Sequence, residues 1–101
     1  LAAEAVKFVA ANKDRPFFLY LPHYAVHTPL TAKPDVQAKY QGTPIGGKQS
    51  SPVYAAMVES ADAAVGRVLA ALDEHKLTEK TLVIFTSDNG GLATVEGPNT
   101  P

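Results

Sequence analysis

Thr81-Leu82-Val83-Ile84-Phe85-Thr86-Ser87-Asp88-Asn89-Gly90-Gly91 decides the fold. Residues 82–85 are an unbroken run of large and β-branched apolar side chains. A run of this length bounded by turn residues predicts a strand buried on both faces. Such strands belong to mostly parallel sheets, where ligands gather at the carboxyl ends of the strands. Asp88 and Asn89 fall at such an end. Gly90 and Gly91 suit a sharp turn or a close approach of backbone to ligand. A carboxylate beside an amide oxygen supplies hard oxygen donors of the kind Ca²⁺ and Mg²⁺ take. Asp-Asn-Gly-Gly is also ordinary turn chemistry. Taken alone, the stretch leaves both readings open.

Working outward, Phe17-Phe18-Leu19-Tyr20-Leu21 is a second apolar run, ended by Pro22. A helix is expected before each run. Residues 1–12 are rich in alanine and place Leu1, Ala5, Phe8 and Val9 on one face. Asn12-Lys13-Asp14-Arg15-Pro16 stops that helix. Residues 31–40 hold one or two helical turns, with Pro34 in the first and Val36 and Tyr40 four apart. Residues 41–51 read as an exposed loop. Ser51 then caps a long helix with Pro52 at its first position. Tyr54, Met57, Val58, Ala61, Val65, Val68, Leu69 and Leu72 form its apolar stripe, and it ends near His75 and Lys76. Glu59, Asp62 and Arg67 read as its solvated face, and Met57 as core filler. Residues 92–101 have no periodicity and read as a loop or tail. Helix, strand, helix, strand predicts an α/β fold, part of a mostly parallel sheet flanked by helices.

At 101 residues the chain is at most one domain. Its formal net charge of -1 points to neither nucleic acid nor an anionic membrane surface. Without cysteine it has no disulfide, thiolate metal site or cysteine nucleophile. No apolar run approaches the ~20 residues that span a bilayer. The first residue is Leu1, in the middle of a predicted helix, and the last is Pro101 in a polar segment. Both ends therefore read as cuts in a longer polypeptide.

Both strands end in polar clusters: His23, Tyr24 and His27 after the first, Asp88 and Asn89 after the second. If the strands are parallel, both clusters lie on one sheet edge, where convergent polar groups make a site. His27 suits a proton donor to a leaving group, or a cation that binds an anion. No convincing Ser-His-Asp spacing, Walker-type loop or basic patch accompanies them.

Three motifs together carry a resemblance. They are Pro16-Phe17-Phe18-Leu19-Tyr20-Leu21 running into Ala25-Val26-His27-Thr28-Pro29, Tyr54-Ala55-Ala56-Met57-Val58-Glu59 running through Ala63-Ala64-Val65-Gly66-Arg67-Val68-Leu69, and the opening stretch. In this order and at these distances they resemble the sulfatase family, in particular arylsulfatase-like and N-acetylgalactosamine-6-sulfatase-like enzymes of the alkaline-phosphatase superfamily. The resemblance runs from about Val6 to Gly91. It implies an incomplete alkaline-phosphatase-like fold, with residues 1–101 an internal fragment of a sulfatase catalytic domain. It implies hydrolysis of a sulfate ester, on a sulfated sugar or an aryl sulfate. His27 looks like the active-site histidine that contacts the ester and helps the leaving group depart. Asp88 and Asn89 look like two metal ligands, with Ca²⁺ usual and Mg²⁺ the alternative. His23 matches no catalytic position and keeps a structural or substrate-contact reading.

The departures are as informative. The family's formylglycine nucleophile, made in a Cys/Ser-x-Pro-x-Arg motif, is absent, as is the upstream Asp-Asp metal pair. Ser50-Ser51-Pro52-Val53-Tyr54 imitates the motif but has Tyr54 in place of arginine, lies downstream of the histidine, and has Ser51 committed to a helix cap. Gly46-Gly47-Lys48 lies on the wrong side of the strand to be the family's lysine segment. The chain alone is therefore expected to be inactive, to bind a cation weakly, and to associate with itself through uncovered sheet edges. A phosphatase or phosphonate monoester hydrolase of the same superfamily, and a non-catalytic α/β scaffold, are the competing readings. The family is mostly periplasmic, secreted or lysosomal; the sequence itself does not choose among these.

Overall fold

A computed structural model describes residues 1–42 and 51–91. Residues 43–50 of the loop expected over 41–51, including Gly46-Gly47-Lys48 and Ser50, and the expected tail 92–101 lie outside the described residues. Among the described residues there are three α-helices, α1 (Ala2–Asn12), α2 (Pro34–Ala38) and α3 (Pro52–Glu74), and one 3₁₀ turn at Thr78–Lys80. The chain forms two compact units. One holds Leu1–His23 and Asp62–Thr86; the other holds, of the described residues, 24–42, 51–61 and 87–91.

In the first unit α1 buries Ala2, Ala5, Val9 and Asn12. Of the face expected to be buried, Ala5 and Val9 are buried, whereas Leu1 is 66% exposed and Phe8 lies at the boundary. Asn12 joins the buried face through local bonds. Its amide nitrogen donates to the Phe8 carbonyl at 2.7 Å, and its Oδ1 accepts from Arg15 Nε at 2.8 Å. With its polar atoms satisfied, Asn12 is buried at little cost. Phe8 meets Phe17 edge to face, ring centroids 5.8 Å apart. Val9, Ala71 and Leu72 form the core, with Val6, Phe17, Leu19 and Leu77 packed against it.

The two apolar runs take an instructive form. Phe17 and Leu19 pack inward while Phe18 and Tyr20 stand 86% and 76% exposed, a period of two. Leu82, Ile84 and Phe85 are also open to solvent. Among the described residues neither run is in a strand. A strand exists only by pairing with a neighbour, and these runs meet no ladder here.

The ends of α3 follow its sequence closely. Tyr54 N–H donates to Ser51 Oγ at 3.3 Å, an N-cap bond, with Pro52 at the first helical position. Beyond Glu74 the chain reverses through Lys76 at φ 57°. Leu77 N–H donates to the Leu72 carbonyl at 2.8 Å and Lys76 N–H to that of Asp73 at 2.9 Å. These are the two bonds of a Schellman cap, and Leu77 packs against the core cluster to which Leu72 belongs.

In the second unit α2 begins with Pro34 at its first turn, as its sequence predicts. Ala56 and Met57 are buried, which bears out Met57 as core filler. Val58, placed on the apolar stripe by periodicity, is 47% exposed instead.

Candidate functional site

His27, Asp88 and Asn89 all belong to the second compact unit. His27 sits in a short turn after the first apolar run, and the Ala25–Val26 and Thr28–Pro29 peptides of that turn are cis. The turn is closed by its own groups. His27 N–H donates to the Tyr24 carbonyl at 2.9 Å, and the Tyr24 hydroxyl donates to the Thr28 carbonyl at 3.0 Å. His27 Nδ1 lies 2.6 Å from the same Thr28 oxygen. The Tyr24 and His27 rings pack at a centroid distance of 5.2 Å, tilted by 44°. His27 is solvent-exposed.

Asp88 and Asn89 are exposed as well. The backbone there is tied by the Ser87 hydroxyl, which donates to the Asn89 carbonyl at 2.6 Å. A Cβ at Gly90 would meet nothing within 4 Å, and Gly90 does not have a positive φ. Within the described chain, then, neither crowding nor backbone conformation demands glycine at 90. Among the described residues no hydrogen bond joins His27 to Asp88 or Asn89, and no three His, Asp or Glu side chains gather closely enough to hold a metal ion. The donors fit a hard cation in kind: one carboxylate and one amide oxygen. In number they are two, against about six to eight around a dedicated Ca²⁺.

His23 belongs to the other unit and is partly buried, its Nε2 without a hydrogen-bond partner among the described residues. Also in that unit is an open apolar depression of about 400 Å³, lined by Leu69, Ala70, Leu72, Asp73, Thr78 and Val83. It holds none of the candidate catalytic groups.

Two features escaped the sequence reading. Tyr24 was grouped with the polar cluster but given no task, although its three-residue spacing from His27 allows one side of a turn to serve both rings. Glu59 was read as part of a solvated face. It instead accepts from the Tyr40 hydroxyl at 2.7 Å and pairs with Lys39 Nζ, which ties the end of α2 to α3. The hydrogen bond from Lys39, with that from Tyr40, holds the Glu59 carboxyl below its ordinary range. The hydrogen bonds to Glu59 push both Lys39 and Tyr40 up. Asp62 and Arg67 are exposed, in keeping with a solvated face.

No helix among the described residues is long and apolar enough to cross a membrane. The Sulfatase family model matches residues 1–98. A steryl-sulfatase of Mus musculus is 43% identical over 98 residues, covering 97% of this chain and 14% of that protein. A sulfatase of Formosa agariphila is 41% identical over 90 residues, 80% of this chain and 16% of its own length. An N-acetylgalactosamine-6-sulfatase of Canis lupus familiaris is 35% identical over 98 residues, 95% of this chain and 17% of its own. The chain thus spans about one sixth of the length of the curated relatives it matches. The matched residues take in His27 with its turn, Asp88 and Asn89, and both apolar runs, and the chain belongs to the sulfatase family.

Proposed function

We propose that this chain forms part of the active site of a sulfuric ester hydrolase, in which His27 acts on the ester and Asp88 and Asn89 are two ligands of a Ca²⁺ ion, with Mg²⁺ as the alternative. The observation that carries this reading is the family match across residues 1–98, inside which all three residues fall. A bound cation would polarise the sulfate group and stabilise negative charge near it. The chain's own contribution is a proton and its placement. His27, as imidazolium, gives a proton to the ester oxygen while the S–O bond breaks and its electron pair stays on that oxygen. The alcohol leaves neutral, and the ring is left neutral. The attacking nucleophile is not among the residues assigned here, in keeping with the missing formylglycine motif. The substrate class is a sulfate ester on a sugar or aryl group.

The same reading assigns the two apolar runs to a mostly parallel sheet of an alkaline-phosphatase-like α/β domain. Its support is the alternating exposure of residues 17–20 and the apolar faces at 82–85, which suit pairing with further strands.

The test is a chimera in which residues 1–98 replace the matching segment of a relative, assayed on aryl sulfate and aryl phosphate esters. Sulfate hydrolysis is expected, and His27→Ala should lower it by roughly 10²- to 10⁴-fold, the usual weight of one general acid. Preferred hydrolysis of the phosphate ester would favour the phosphatase reading. A chimera indifferent to His27→Ala would remove the catalytic role.

A further inference from the structure

We propose that Tyr24 is a positioning residue for His27, and that Tyr24 and the Thr28 carbonyl hold the imidazole as its Nδ1–H tautomer with Nε2 as the nitrogen presented to the ester.

His27 Nδ1 lies 2.6 Å from the Thr28 carbonyl oxygen. A carbonyl oxygen only accepts, so the proton must be on Nδ1. In the neutral ring Nε2 is then the unprotonated nitrogen. The Thr28 oxygen is itself held by the Tyr24 hydroxyl at 3.0 Å, through its second lone pair. The Tyr24 ring packs against the imidazole at 5.2 Å, and the Tyr24 carbonyl accepts from His27 N–H at 2.9 Å. Backbone, ring and acceptor are thus all fixed relative to one residue, three positions before the histidine.

The consequence for chemistry is directional. When the imidazolium transfers its proton, loss from Nε2 leaves the Nδ1–H···O=C bond intact. Loss from Nδ1 would break it and set two lone pairs facing each other. The carbonyl therefore selects Nε2–H as the acid: the Nε2–H bond breaks, an O–H bond forms on the departing alcohol, and the ring returns to the tautomer the turn already holds. This step rests on the sulfatase reading of His27; the tautomer itself does not.

The test is imidazole ¹⁵N NMR on this chain, read on the alkaline plateau where the ring's shifts no longer change with pH. His27 should show a protonated Nδ1 and an unprotonated Nε2, with the Nδ1–H form favoured by about 10 to 1, as one ordinary hydrogen bond would give. Tyr24→Leu should bring that ratio down to near one with helix content unchanged, since Tyr24 is exposed. Tyr24→Phe, which keeps the ring, should retain more of the Nδ1–H form than Tyr24→Leu. A predominant Nε2–H form in the native chain, or a ratio unmoved by Tyr24→Leu, overturns the proposal. The two readings fail separately: an Nδ1–H ring in a chimera that hydrolyses no sulfate removes only the catalytic role, and an Nε2–H ring in an active chimera removes only the tautomer.

Discussion

The Tyr40 hydroxyl donates to Oε2 of Glu59 at 2.7 Å, nineteen residues along the chain. With Lys39 on the other carboxylate oxygen, Glu59 ties the residues that follow α2 to α3. This link sets a pH window. The Glu59 carboxyl is held low, so its contribution is complete above the ordinary glutamate pKa of about 4.3 and is lost as pH falls through the lower folded value. Lys39 and Tyr40 are raised, so theirs are complete below about pH 10 and are lost as pH rises through the higher folded values. Thermal unfolding of the chain and of Glu59→Gln from pH 3 to 11 should show a gap near neutrality that narrows at both ends. A gap independent of pH would contradict the assignment.

Lys76 holds a left-handed conformation that L side chains adopt at a cost. Lys76→Gly should stabilise the chain by about 1 kcal/mol by relieving that cost within the Schellman cap. Denaturant titration should show a higher midpoint at unchanged slope. A lower midpoint would mean that the lysine side chain matters more than its backbone.

Ser51→Ala removes the N-cap acceptor of α3 and should cost about 1 kcal/mol. Ser51→Asp, which restores an acceptor, should recover most of it. If both variants unfold at the native midpoint, the 3.3 Å bond contributes nothing.

Phe18, Leu82, Ile84 and Phe85 present apolar side chains to solvent. The chain at high micromolar concentration should associate, and light scattering should show a mass above 10.7 kDa. Replacing Phe18 and Phe85 with Ser should return it toward the monomer mass. A native chain that is monomeric throughout would count against these runs as uncovered sheet faces.

How much was legible follows from which interactions are local. The cap of α3 is written in Ser51-Pro52, and the first turn of α2 in Pro34, because one or two residues determine each. Helix periodicity placed Met57 and Leu72 in the interior correctly. On α1 it placed Ala5 and Val9 correctly but missed Asn12, which becomes buriable only when its amide reaches Phe8 and Arg15. It could not find the Glu59 tether, whose partners are nineteen and twenty residues away. The cap at Lys76 lacks the glycine that usually announces it; the signal was the apolar pair Leu72 and Leu77. At the site, residue types pointed to His27, Asp88 and Asn89. The service of Tyr24 to His27 is a matter of ring packing and a shared carbonyl, which spacing permits but does not specify.

Under the proposed function, Asp88 and Asn89 supply only part of a cation site. Calorimetric titration of Ca²⁺ into the chain and into Asp88→Ala tests it most directly. Two oxygen donors should bind no tighter than the weak end of Ca²⁺ modules, with Kd of about 10⁻³ M or above, little changed by the substitution. Tight binding abolished in Asp88→Ala would contradict the account, because the ligand set would then be completed within this chain or by a second copy.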